Sequence, residues 1–175
     1  LSGCRFEYNG RQGFSWVGGS GLTATNCTFS YTGQGKFSSP PSAGLDLEPN
    51  WGYIVYNGKF VNCTFSHNAG VSLITDQGGP NSRKIVFENC KIFGNYNHAL
   101  WIKGAEFSFK KCKIQGTFLF GYAAEKESEG TKFIECSFEE MPSRPVKYLI
   151  ECNGAQYMRF EKCTFTVTQS QMVYV

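Results

Sequence analysis

The chain has 175 residues, a net charge of +3 and 41% hydrophobic residues. That length supports one domain with a substantial core, and the small charge gives no electrostatic footprint for nucleic acid. No apolar run reaches the roughly 18 residues that a membrane-spanning helix needs, and the 8 cysteines include no Cys-x-x-Cys pair of the kind that holds zinc.

In chain order, the first element is "LSGCRF" at 1–6, followed by the short apolar strand "GFSWV" at 13–17. "ATNCTF" begins at 24, and the insert "TGQGKFSSPPSA" (32–43) leads into "GLDLE" at 44–48 and "PNWGY" at 49–53. "FVNCTF" (60–65) precedes "GVSLI" (70–74), and "FENCKI" (87–92) precedes "ALWIK" (99–103). "FKKCKI" (109–114) leads to "TFLFG" (117–121) and the polar excursion "AAEKESEG" (123–130). "FIECSF" (133–138), "EEMPSRP" (139–145) and "YLIE" (148–151) follow, then "FEKCTF" (160–165) and "VYV" (173–175).

The common pattern is Phe-x-x-Cys-x-(Phe/Ile) at Cys63, Cys90, Cys112, Cys136 and Cys163, with weaker copies at Cys4 and Cys27, where Leu1 and Ala24 stand for the first Phe; the separations are 23, 36, 27, 22, 24 and 27 residues. A period near two dozen residues predicts a solenoid in which each repeat covers its neighbour. Phe87, Cys90 and Ile92 all read as core, yet a flat strand sends residues three apart to opposite faces. A corner just before each Cys resolves this. That position holds Gly3, Asn26, Asn62 and Asn89, which accept a left-handed backbone. Lys111, Glu135 and Lys162 accept it less readily, so a less regular corner is expected there. The recurring cysteines are expected as a buried column of free thiols, with Cys152 off-register and the most exposed.

Coiled rungs of this kind stack as parallel strands with right-handed crossovers. The expected fold is therefore all-β: a right-handed parallel β-helix of about seven rungs with an inward Cys/Phe ladder, one domain over 1–175. The chain starts inside a repeat and stops on a strand, which predicts a fragment of a longer protein or ends covered by a partner. This repeat architecture resembles the single-stranded right-handed β-helix superfamily of pectate lyases, polygalacturonases, alginate epimerases and phage tailspikes. The resemblance implies a polysaccharide or glycan partner, a homotrimer or flanking domains at the open ends, and an extracellular, cell-surface or virion location. The catalytic signatures of those enzymes do not carry over intact.

The candidate site follows from strand parity. Ser15, Asp46, Ser72, Trp101 and Leu119 are expected to form one outward column, with Glu48 and Lys103 in the next. Asp46 and Glu48 at i and i+2 would sit about 7 Å apart, close to the spacing for an acid–base pair in glycoside hydrolysis. They equally suit calcium, a hard cation, or a solvated strand face. Lys103 is the third catalytic candidate, as a proton abstractor or as the partner of a uronate carboxylate or of Glu48. Trp101 is expected as a sugar-stacking platform. Asp76, His98, Arg83 (in the turn "GGPNSRK") and Trp51 complete the substrate-binding set. Two functions remain open: an enzyme of lyase or hydrolase type, and a non-catalytic module of a phage tail or cell-surface protein.

Overall fold

The computed structural model describes residues 1–75, 81–95, 98–121, 124–141, 147–168 and 171–174. Among these residues the chain winds through three parallel sheets of seven strands each. Each turn visits them in the same order. A first sheet collects the strands just after the repeated cysteines, from Arg5–Glu7 through Lys91–Phe93 to Thr164–Thr166. A second sheet stacks Gln12–Trp16, Ala43–Leu47, Leu73–Thr75, Leu100–Ile102, Phe118–Phe120, Tyr148–Cys152 and Gln171–Tyr174. A third sheet contains Val55–Val61, Ser82–Glu88, Ala105–Lys110, Lys132–Ile134 and Arg159–Glu161. These sheets form a right-handed parallel β-helix, as the repeat predicts.

The corner between the third and first sheets explains the Phe-x-x-Cys spacing. Its residue is left-handed in every rung: φ is 62° at Gly3, 54° at Asn26 and Asn62, 52° at Asn89, 54° at Lys111, 55° at Glu135 and 52° at Lys162. One left-handed residue reverses the parity of the flanking strands, so Phe87, Cys90 and Ile92 all point inward and are buried. The three late corners are thus as regular as the early ones, despite their side chains. Stacking fixes them, since the Asn89 N–H donates to the Lys110 carbonyl at 2.9 Å and the Lys111 N–H to that of Ile134 at 2.9 Å. The Lys111–Glu135 ion pair is long at 3.7 Å and solvent-facing, so it adds little. Lys111→Asn should therefore raise stability by about 0.5–1 kcal/mol, because Asn relieves left-handed strain. A higher melting temperature would confirm this, and a fall of that size would contradict it.

The core is a set of aromatic and thiol columns. Phe60, Phe87, Phe109, Phe133 and Phe160 stack in one file, with ring centroids 4.8–5.1 Å apart. Phe6, Phe29 and Phe65 form a second file at 5.0 and 4.8 Å. Cys27, Cys63, Cys90, Cys112 and Cys136 are buried free thiols, and Cys4 and Cys163 are half-buried. Each interior thiol is satisfied: Cys90 Sγ donates to the Glu88 and Phe60 carbonyls at 3.4 and 3.5 Å. Cys152 corrects an expectation. It packs against the core beside Met158 (Sγ–Sδ 3.6 Å), and burial pushes its thiol pKa up, so it is not a reactive surface cysteine.

Candidate functional site

The candidate face is the outer side of the second sheet. Leu45 and Leu47 point into the core, so Asp46 between them points away from it. Backbone register gives the outward column as Ser15, Asp46, Ile74, Trp101 and Leu119. Ile74 thus occupies the place expected for Ser72. Ser72 lies two residues earlier, buried, with its hydroxyl donating to the Phe93 carbonyl at 2.6 Å. Trp101 stands two rungs from Asp46, as the sequence predicts.

Asp46 and Glu48 occupy unequal surroundings. Asp46 faces outward yet is only 4% exposed, whereas Glu48 is open to solvent. Asp46 thus faces outward as its strand parity predicts, and its low exposure has a physical cause. Gln12, in the preceding rung, lays its amide across the strand. Its Nε2 donates to Asp46 Oδ2 at 2.6 Å and approaches Glu48 Oε2 at 3.4 Å. One amide thus holds the two carboxylates within about 6 Å of each other at their facing oxygens, near the short end of glycosidase spacings. Gln12 was not identified from the sequence. Its only signal is its place at the start of the strand that stacks on "GLDLE".

Among the described residues, no cluster of three or more His, Cys, Asp and Glu side chains offers a metal site. Asp46 and Glu48 supply at most four of the six to eight oxygens that calcium takes. The donor nitrogen of Gln12 faces both of them, an arrangement that suits hydrogen bonding better than a cation.

Trp101 and Lys103 form a second group on this face. The Lys103 ammonium lies over the Trp101 ring, 5.1 Å from its centroid, and the His98 ring meets the indole edge-on at 6.2 Å. One face of Trp101 is therefore occupied. Its indole N–H is buried and has no hydrogen-bond partner among the described residues. The Lys103 stem runs toward Gly121 in the following rung, where an added Cβ would meet it at 3.1 Å. No ion pair joins Lys103 to Glu48 among the described residues, contrary to one expectation. The Lys103 backbone N–H donates to Thr75 Oγ1 at 2.7 Å, which ties two rungs together.

Loops flank the carboxylate strand at both of its ends. The 32–43 insert is pinned where the Gly70 N–H donates to the Ser42 carbonyl at 3.0 Å. A Cβ on Gly70 would lie 1.8 Å from the Pro41 carbonyl oxygen, so only glycine fits under the insert. The insert carries Phe37 outward, 87% exposed. After Glu48, the Asn50 N–H donates to the Val17 carbonyl at 2.9 Å and the Gly19 N–H to that of Ile54 at 2.8 Å. Trp51, between them, is fully exposed at 101%. Trp51 rather than Trp101 is thus the open indole.

The other candidates are dispersed. Arg83 is not in a turn: it lies in the strand Ser82–Glu88 of the third sheet, its guanidinium over Tyr56 at 5.7 Å. A left-handed residue at Lys84 (φ 55°), stacked between Asn57 (φ 56°) and Glu106 (φ 59°) of the adjacent rungs, reverses parity within that strand and masks its alternation. Asp76 lies outside the described residues.

A family model described as "Right handed beta helix region" matches residues 43–175. No curated protein matches the chain. Among solved structures, the chain is similar to the tailspike protein gp49 from Acinetobacter baumannii bacteriophage Fri1, described as a capsular polysaccharide depolymerase. The identity is 17%, the TM-score is 0.54, and the match covers 99% of this chain and 34% of that one. At that identity the likeness establishes the coil alone, and the chain spans about a third of the tailspike's length.

Proposed function

The chain belongs to the right-handed β-helix family, and from that premise we propose that the outer face of its second sheet binds and cleaves an acidic polysaccharide. The observation that carries this reading is the carboxylate pair. Asp46 is shielded and Glu48 is open, and a single Gln12 amide tethers both. Two nearby carboxylates in unlike environments are what an acid–base division of labour requires. Asp46 acts as the proton donor to the departing glycosidic oxygen. Glu48, in contact with solvent, activates water or attacks directly. Gln12 must move aside when substrate enters. Trp51 offers its ring to a sugar. Trp101 holds Lys103 and His98, and the ammonium answers a uronate carboxylate. If Lys103 instead acts as the neutral amine and takes the C5 proton of a uronate, the electron pair forms the C4–C5 double bond, the C4–O glycosidic bond breaks and the departing oxygen takes its proton from Asp46, so the same face performs β-elimination.

The tailspike with a similar coil is described as acting on capsular polysaccharide. A surface glycan is accordingly the proposed ligand class, and a virion or extracellular setting the proposed location. The Gln12 bridge also supports a second reading, a glycan-binding module without turnover, because it occupies the space between the carboxylates. A panel of uronic-acid polysaccharides separates the two. Appearance of reducing ends indicates hydrolysis, and absorbance of an unsaturated product indicates elimination. Binding with neither signal leaves the module, and no binding at all overturns both readings. A trimeric mass in solution would favour a spike assembly.

A further inference from the structure

The third sheet carries a concavity unconnected with Asp46 and Glu48. Two adjoining clefts of about 450 and 410 Å³ share Ser128 and Lys132. The first extends past Tyr157 to Arg159, and the second runs over Ser108 toward Lys84 and Asn57. Their floor is in register, since Val86, Ser108, Lys132 and Arg159 occupy one column of consecutive rungs. The combined groove therefore runs along the coil axis for about 14 Å, three strand spacings. One wall is the turn around Glu127–Glu129. It is pinned by the Glu125 N–H donating to Glu129 Oε2 at 3.1 Å and by close approach of Gly130, where a Cβ would lie 1.9 Å from the Tyr157 carbonyl oxygen.

The charges in the groove are unevenly matched. Arg159 pairs with Glu161 at 2.7 Å, and Lys84 pairs with Glu106 at 3.9 Å. Glu127 sits exposed on the wall. Lys132 is half-buried in the shared floor and has no ion-pair partner among the described residues. A partly desolvated cation is stabilised by an incoming anion. Beside it, Tyr157 is 47% exposed and held at φ 56°, a conformation that side chains adopt only under local constraint. Serine hydroxyls at 108 and 128 line the floor and wall.

We propose that this groove is a separate binding site for a short carboxylate-bearing oligosaccharide. Lys132 pairs with the carboxylate, Tyr157 stacks on a ring, and the serines bond its hydroxyls. The proposal takes its ligand class from the polysaccharide reading above but places the contact on a different sheet. The test is an NMR titration of the isotope-labelled chain with trigalacturonate and, separately, with neutral maltotriose. Trigalacturonate should shift the amides of Ser108, Ser128 and Lys132, and maltotriose should bind more weakly. Lys132→Gln should weaken trigalacturonate binding about tenfold, the worth of one charge-assisted hydrogen bond. Its melting temperature should hold or rise, because an unpaired half-buried charge is removed. Glu48→Gln should leave these shifts unchanged. Equal affinity for the two sugars, or unchanged affinity in Lys132→Gln, overturns the proposal. Shifts confined to Gln12, Glu48 and Trp51 also overturn it while preserving the carboxylate site. Shifts at Lys132 without turnover by the chain would sink the cleavage reading and leave the groove standing.

Discussion

Phe87→Ala is expected to lower unfolding free energy by about 3–5 kcal/mol, the cost of deleting a fully buried aromatic ring. Phe87 is 0% exposed. Its ring stacks between Phe60 and Phe109 at 4.9 Å on each side and meets Phe65 edge-on at 6.0 Å. The file cannot close over the gap, because each neighbour is fixed by its own strand pairing to the rungs above and below. The loss should therefore approach the upper end of the range. It would take a large share of the roughly 5–15 kcal/mol that holds a typical domain together. Phe165→Ala provides the control. Phe165 stacks on Phe138 at 4.8 Å but is only half-buried, so its removal should cost distinctly less. Chemical denaturation of the two variants beside the parent chain measures the difference. Equal losses would mean that the aromatic file is not the spine of the coil.

The coil was legible because one physical arrangement recurs. Every rung needs an inward Phe, a left-handed residue and an inward Cys, and a single correct reading of "FENCKI" applies to all seven. The candidate face was less legible for three reasons. "GVSLI" alternates with period two, and a shift of two residues leaves such a pattern unchanged, so nothing local told Ser72 from Ile74. Arg83 follows a stretch rich in Gly, Pro and Asn, and the left-handed residue at Lys84 breaks the alternation that marks its strand. The shielding of Asp46 comes from Gln12, 34 positions earlier, and only register between rungs brings the two together. Lys132 was overlooked for a similar reason. Its meaning lies in two clefts formed by a loop and neighbouring rungs, which no single stretch of sequence encodes.

Glu48→Gln should cut polysaccharide turnover by about a hundred- to ten-thousandfold, the range for removing a positioned proton-transfer group. Glu48 is open to solvent, and among the described residues its side chain is held only by the long 3.4 Å contact to Gln12, so the amide variant should fold and melt as the parent does. Substrate affinity should change little, because size and polarity are kept. Asp46→Asn should lower turnover over the same range, with a modest effect on stability. Its side-chain oxygen can still accept from Gln12, although the bond loses its charge assistance. The bridge supplies the discriminating variant. Gln12→Ala frees both carboxylates from the amide between them while touching neither. If the bridge is a gate that substrate displaces, this change should raise turnover or leave it within about tenfold of the parent, since no transition-state contact is lost. If Gln12→Ala instead abolishes activity while Glu48→Gln retains it, the amide and not the carboxylate pair is the working group, and the acid–base assignment falls.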